Sequence, residues 1–383
     1  MGPPLKRMLF SASLVVILIA FLEVAASLYY FFVVPQQGRE MLESLLGVTS
    51  PERQELLRYK PHPYFNYVFN RDYRDAAGLK PYNSQGFRAP EWKTKDRGAI
   101  RIVAVGGSTT YGIFSQDGSN IWPAFLERRL NSAGAPAVEI INLGVTGYTL
   151  FEIMGVMAMI VPDLEPDIVL INVGANDAFS ACYPEEGGRD NTFFRFSWNV
   201  RQLPEFAAVG MRKSYTLRVL GYLMMSLNAY LPGDLMTAMQ YPHPDDRESL
   251  RNAANASGKY FRRNLKTVVS LAKSIGATTV LFTQPLNPAW ETVELPFYRG
   301  AIDAHKRNNE IIRDVGTESG VAVVDIYAGM HVREFFVDAI HANIRGEELQ
   351  ARLIYPEVSA LVASLRDRKK AGSVVNLRDG HAK

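Results

Sequence analysis

The sequence predicts an α/β protein: a three-layer α/β/α sandwich around a mostly parallel five-stranded sheet, preceded by one N-terminal transmembrane helix. Three observations carry this. From residue 100 onward, short apolar β-branched runs alternate with longer amphipathic ones. The short runs are continuous rather than alternating, as strands buried on both faces read. Ahead of them, residues 8–34 form an apolar stretch broken only by Ser11, Ser13, Glu23 and Ser27. That length suffices for a hydrocarbon core, which needs about 20 residues.

The elements follow in order. Strands are expected at 102–105, 138–142, 168–173, 278–283 and 321–325. Helices are expected at about 119–132, 150–161, 248–275, 298–318 and 345–366. Strand and helix alternation of this kind gives a doubly wound layout. Residues 35–99 read as a juxtamembrane segment and an N-terminal extension packed on the main domain, which covers 100–366. Within the extension, Asn83-Ser84-Gln85-Gly86-Phe87-Arg88 reads as a turn. Residues 180–247, rich in aromatics, Met and Arg, interrupt the rhythm after the third strand and read as an insertion able to cap a site. The polar tail, 367–383, is expected to be mobile.

Composition excludes several classes. The chain has 383 residues, 47% of them hydrophobic, enough for a sizeable core. The net charge of +3 comes from scattered basic residues. No basic stripe with interleaved aromatics suggests nucleic acid. The single cysteine, Cys182, forbids an intrachain disulfide and any Cys-based metal site. It reads as a small buried residue.

The N-terminus sets the compartment. Lys6 and Arg7 precede the apolar stretch, so they stay inside and the rest of the chain lies outside. This places a single-pass chain in the cell inner membrane with a periplasmic or extracellular domain. A cleavable signal peptide is the competing reading, because Val24-Ala25-Ala26 resembles a cleavage site. Apolar character continuing through Leu28-Tyr29-Tyr30-Phe31-Phe32-Val33-Val34 favours the anchor. Glu23 costs about 3 kcal/mol inside a spanning helix on insertion scales. Either a membrane partner helix hydrogen-bonds it, or it is protonated or placed shallow.

In open α/β sheets, ligands bind beyond the carboxyl ends of the strands. The residues there are Gly106-Gly107-Ser108-Thr109-Thr110-Tyr111-Gly112, Asn142-Leu143-Gly144-Val145-Thr146-Gly147, Gly174-Ala175-Asn176-Asp177, Gln284-Pro285 and Asp338-Ala339-Ile340-His341. These segments resemble the motif blocks of the SGNH/GDSL hydrolase family, whose fold is flavodoxin-like. Ser108 matches the first-block serine, Gly144 the second-block glycine and Asn176 the third-block asparagine. Asp338 and His341 match the terminal Asp-x-x-His. The match runs in order over about residues 100–366. The anchor, the Asn83–Arg88 segment and the Gly-Gly-Ser start resemble a bacterial, membrane-anchored branch. Gly107 departs from the family, many of whose members carry Asp there.

The resemblance implies a catalytic triad of Ser108, Asp338 and His341. It implies an oxyanion hole from the backbone N–H groups of Ser108 and Gly144 and the Asn176 side-chain amide. Elementary chemistry agrees. A serine hydroxyl needs a base to take its proton, an imidazole titrates near neutral pH, and a carboxylate fixes its tautomer. Any one residue has a bland alternative: a serine after glycines can cap a helix, and Asn176-Asp177 can be a turn. Asp177 reads as holding the loop, and Asn343 and Gly346 as capping the last helix. His62 and His243 sit in loops, and His305 on a polar helix face.

Other sites fail on sequence. Residues 106–112 lack the Lys-Ser/Thr ending of a phosphate loop and the Gly-x-Gly-x-x-Gly of dinucleotide folds. Residue 110 is Thr, so the Gly-x-Ser-x-Gly elbow is absent. No metal and no cofactor are expected. The leading expectation is a serine esterase hydrolysing O-acyl, acetyl or short-chain, esters of carbohydrates or lipids through an acyl-serine. One alternative is an O-acyltransferase that passes the acyl group to a surface polysaccharide. A second is a non-catalytic membrane assembly or binding protein that retains the fold.

Overall fold

The computed structural model describes residues 3–35, 39, 42, 58–62, 64–75, 78–96, 98–115, 118–132, 137–183, 205–230, 245–292 and 296–379. In chain order it forms α1 (Pro3–Phe32), β1 (Tyr59–His62), β2 (Asn66–Phe69), β3 (Ile100–Gly106), α2 (Ser108–Tyr111), α3 (Trp122–Asn131), β4 (Val138–Gly144), α4 (Leu150–Met159), β5 (Ile168–Asn172) and α5 (Ala175–Ser180). Then come α6 (Glu205–Lys213), α7 (Tyr215–Tyr230), α8 (Asp246–Asn255), α9 (Lys259–Ser274), β6 (Thr278–Phe282), α10 (Pro296–Ser319), β7 (Ala322–Val324), α11 (Ile326–Gly329) and α12 (Ile344–Asp379).

The five expected strands pair in the order β4-β3-β5-β6-β7, all parallel. Every residue of β3 and β5 is buried, which is why 102–105 and 168–171 read as unbroken apolar runs, flanked by the buried polar Arg101 and Asn172. Strand order reverses between β3 and β5, the kind of switch point where ligands bind beyond the carboxyl ends. The core on one face joins Ile100, Ile102 and Ala104 of β3 to Trp122 and Leu126 of α3 and to Ile354 and Val358 of α12.

The chain divides into two compact units. One comprises Tyr59–Arg71, Asp75–Arg195 and Pro244–Lys383, and holds the sheet. The other comprises Met1–Arg58, Asp72–Arg74 and Phe196–His243. Residues 59–71 and 75–99 of the expected extension therefore belong with the sheet, whereas 35–58 do not. The middle of the expected insertion groups with the N-terminal helix. Its residues 184–204 and 231–244 lie outside the described residues.

In the smaller unit, Phe10–Phe32 is long and apolar enough to cross a membrane. Tyr30, Val34 and Leu42 are buried there against Met211, Tyr215, Val219 and Tyr222. Glu23 does not need a partner from outside the chain. Its carboxylate accepts hydrogen bonds from the Ser214 hydroxyl and the Tyr215 N–H of α7.

Three expectations need correction. The single helix at 248–275 is two, because Gly258 adopts a left-handed φ of 69° and breaks it between α8 and α9. The tail beyond 367 continues α12 to Asp379, and Lys369 pairs with Asp167 at 3.0 Å and donates to the Ala99 carbonyl. His305 is not on a polar face. It is buried on α10, and its Nε2–H donates to the Gln284 carbonyl at 3.0 Å.

One buried carboxyl joins two layers. Glu347 of α12 accepts the Trp122 N–H at 2.8 Å, so it caps α3, whose own N-cap residue Ile121 offers no side-chain bond. Burial pushes this carboxyl up to about 8, against the single N–H bond that lowers it. A raised folded-state value gives stability that is complete below the ordinary 4.5 and is lost as pH rises through about 8. Thermal denaturation followed across that interval should therefore show wild type losing Tm relative to Glu347→Gln, which keeps the acceptor without the charge. Parallel curves would contradict this reading.

Candidate active site

The site begins where β3 ends. A Cβ on Gly106 would lie 2.1 Å from Thr110 Oγ1 and 2.5 Å from the Asn172 carbonyl. A Cβ on Gly107 would lie 2.6 Å from Asn176 Nδ2. Only glycine allows this approach, so the chain turns at once into α2 with Ser108 as its first residue. Below the turn lies a buried polar network. Asn172 Nδ2 donates to Thr110 Oγ1 at 3.1 Å, and Gln284 Nε2 donates to Asn172 Oδ1 at 2.6 Å. The Trp122 indole donates to the Thr109 carbonyl at 3.2 Å. These bonds hold the two residues after Ser108.

Asp338 and His341 come from a small loop closed by the antiparallel bridge Phe336–Ala342. Val337 N–H donates to the His341 carbonyl at 2.9 Å. Asn287 Nδ2 donates to the Asp338 carbonyl, and Asn287 N–H to the Ala339 carbonyl, tying the loop to the end of β6. Asp338 Oδ1 accepts the N–H groups of Ile340 and His341. Asp338 Oδ2 lies 2.7 Å from His341 Nδ1, and His341 Nε2 lies 2.7 Å from Ser108 Oγ.

The proton positions follow from chemistry. Burial alone raises the Asp338 carboxyl, but the imidazole bond and the two backbone N–H bonds outweigh it and hold the group below its ordinary 3.8. An ionised carboxylate only accepts, so Nδ1 carries the hydrogen and Nε2 accepts from the Ser108 hydroxyl.

Residues 104–349 match the model of the GDSL-like lipase/acylhydrolase family. The chain belongs to that family. It is an ester-hydrolysing enzyme. Among solved structures, it resembles a lipase/acylhydrolase from Enterococcus faecalis at 20% identity, over 68% of this chain and 96% of that one, with a TM-score of 0.41. A lipolytic protein of the G-D-S-L family from Desulfitobacterium hafniense is similar at 15% identity, over 68% and 99%, with a TM-score of 0.39. An acetyl xylan esterase from Geobacillus stearothermophilus is similar at 13% identity, over 68% and 94%, with a TM-score of 0.41. No curated protein matches.

In this GDSL-like site the expected residues do not all converge. Asn176 stands beside Gly107, and its Nδ2 donates one hydrogen to the Tyr148 carbonyl at 2.8 Å. Gly144 serves differently from the expectation. Its N–H donates to Asn142 Oδ1 at 2.8 Å, which takes it from any ligand. A Cβ there would meet Tyr111 N at 2.4 Å, so the glycine lets α2 lie against β4. Gly147, three residues on, differs in leaving its N–H unused: it has a φ of 80°, precedes Tyr148, and its N–H has no acceptor among the described residues. Both glycines lie in the segment that closes the second strand of the sequence, Asn142–Gly147, and nothing in the residue pattern separates them.

The expected extension braces this region through residues that carry no site signature in the sequence. Asn83 Oδ1 accepts from Gln85 and Phe87 N–H, building a turn with Gly86 at a φ of 80° against the Phe69 carbonyl. That turn sends Arg88 to the end of α2, where it donates to the carbonyls of Tyr111, Gly112 and Ser115 and lies over the Tyr111 ring. Tyr67 of β2 donates to the Thr146 carbonyl at 2.6 Å. The Tyr59 and Thr146 hydroxyls are 2.5 Å apart. Both tyrosines thus steady the Gly147 loop.

Asp177 holds that loop from the other side, its Oδ1 accepting the Leu150 N–H at 3.1 Å. Burial pushes it up to about 7, with nearby Glu152 adding to the rise, and its Oδ2 has no partner among the described residues. Burial drives the His305 imidazole down to about 4, so it is neutral at pH 7. Burial also pushes the Cys182 thiol up to about 12, consistent with a packed rather than reactive residue.

The Gly107 departure has a steric reason, since Asn176 fills the space a side chain would take. Gly107→Ala should cut kcat on p-nitrophenyl acetate by on the order of 10²-fold, the loss typical of one oxyanion donor. Asn176→Ala should cost a similar amount. The double variant should lose little more than Asn176→Ala alone, because the collision is gone. Additive losses would show that Gly107 acts elsewhere.

Proposed function

We propose that the chain is a serine ester hydrolase acting outside the cytoplasmic membrane on acetyl or other short-chain O-acyl esters of carbohydrates or lipids. The observation that carries this is the unbroken relay from Ser108 Oγ to His341 Nε2 and from His341 Nδ1 to Asp338 Oδ2, each step 2.7 Å. Ser108 Oγ attacks the ester carbonyl carbon as its proton passes to His341 Nε2. The imidazolium formed is stabilised by ionised Asp338. The carbonyl oxygen becomes an oxyanion, held by the Ser108 N–H, the free hydrogen of the Asn176 amide and the Gly147 N–H. Collapse breaks the ester C–O bond, and the alcohol leaves with the proton from His341. Water then attacks the acyl-serine, giving its proton to His341. The carboxylic acid departs and Ser108 is restored.

A cavity of about 320 Å³ adjoins the triad. Phe179, Leu286, Trp290, Tyr298 and Ile302 line it, with His305 among them. Mostly apolar walls with a few polar groups suit a small acyl or sugar moiety. A neutral His305 adds no charge to that pocket, so it favours an uncharged substituent. The export side rests on Lys6 and Arg7 ahead of the apolar helix.

Full-length protein assayed with p-nitrophenyl acetate tests the chemistry. Ser108→Ala and His341→Ala should each lower kcat by about 10⁴-fold or more, and the double variant should lose little beyond either, because the residues act as a unit. Retained activity in Ser108→Ala would overturn the proposal.

A further inference from the structure

We propose that α7 is seated in the lipid bilayer against α1, in the leaflet on the carboxyl-terminal side of that helix, with the exposed Arg212 and Lys213 that end α6 reaching out to the headgroups, and that α1 is retained in the mature protein. The inference is independent of the ester chemistry. Glu23 lies thirteen residues beyond the start of the Phe10–Phe32 span. At about 1.5 Å per residue it stands about 20 Å along the axis, inside a core of about 30 Å. Water cannot serve backbone groups at that depth, so the chain must serve them itself.

It does so at the turn between α6 and α7. The first four N–H groups of a helix lack intrahelical partners. Here Tyr215 N–H donates to Glu23 Oε2 at 2.8 Å and Thr216 N–H to Glu23 Oε1 at 3.4 Å. Leu217 N–H donates to Ser214 Oγ, and Arg218 N–H to the Ser214 carbonyl. The Ser214 hydroxyl also donates to Glu23. At the end of α6, Arg218 donates to the carbonyls of Met211 and Arg212, and the Gly210 carbonyl accepts Ser214 N–H. At the end of α1, Arg39 donates to the carbonyls of Phe31 and Val34. The acid that is costly in lipid is thus the cap of α7.

The outward side of α7 is apolar. One stripe of the helix, Tyr215, Val219 and Tyr222, packs on Tyr30 and Val34. Another stripe carries Leu217, Leu220, Leu223 and Met224, all exposed, with Leu220 at 52% and Met224 at 51%. These fall within about a third of the helix circumference, and Thr216 is the polar residue among them. A helix facing water carries charge there. The neighbouring surface is α1, whose apolar side chains between Leu14 and Leu22 are equally bare, as Val16, Ile17 and Phe21 show. Lipid is the occupant that covers both faces without a break. A cut after Val24-Ala25-Ala26 would remove Glu23 and open the start of α7.

The test uses full-length protein in lipid nanodiscs. Leu220→Cys and Met224→Cys are labelled with an environment-sensitive fluorophore, and Arg251→Cys, exposed on α8 of the other unit, serves as the aqueous control. Wild type controls for labelling of buried Cys182. Labels at 220 and 224 should be quenched by doxyl-lipids and react with dithionite several-fold more slowly than the label at 251. Glu23→Ala should restore fast dithionite reaction at 220, and Glu23→Gln should restore it less. Dithionite reaction at 220 and 224 as fast as at 251 would overturn lipid seating. So would shielding from both quenchers, which marks a protein contact. Intact mass of protein extracted from membranes gives an independent readout. A chain that begins before Glu23 supports retention, and one that begins at Ser27 refutes it.

Discussion

The site depends on how closely backbone and side chains meet at the end of β3. Gly106 and Gly107 have no room for a Cβ, because Thr110, the Asn172 carbonyl and the Asn176 amide already fill that space. The absence of side chains lets β3 pass into α2 without an intervening loop. Ser108 then stands as the first residue of a turn, with its N–H unused by the helix and its hydroxyl against His341. Every other part of the site is arranged around this turn. Gly144 clears its flank, Trp122 and Asn172 hold its underside, and Arg88 closes its far end.

Much of this was legible because its causes are local. Strands buried on both faces are mostly apolar, so β3 and β5 announce themselves by their runs at 102–105 and 168–171. A base and its orienting carboxylate on one short loop leave Asp-x-x-His as a compact mark. What stayed hidden is set by contacts distant in sequence. Gly144 and Gly147 look alike in the chain. Asn142 folds back on the first and consumes its N–H, and only the fold reveals this. His305 sits among Asp303, Lys306 and Arg307 and reads as exposed, yet its own helical position faces the cavity. The break at Gly258 stayed hidden because residues on both sides of that glycine keep the helical pattern.

The same distance effect explains the extension. Tyr59, Tyr67 and Arg88 carry no catalytic signature, and each acts on a partner more than 20 residues away. The bonds from Tyr67 and Arg88 end on backbone carbonyls, which sequence patterns cannot display. The smaller unit shows the effect in an apolar setting. Glu23 looked like a defect in a spanning helix, and its purpose appears only with α7 in place.

Fluorophosphonate labelling of the full-length protein, mapped by peptide mass spectrometry, most directly tests Ser108 as the nucleophile activated by His341 and Asp338. Label confined to Ser108 in wild type, and lost in His341→Ala, is the expected result. Label on another residue, or an unlabelled wild type that still hydrolyses ester, would contradict it.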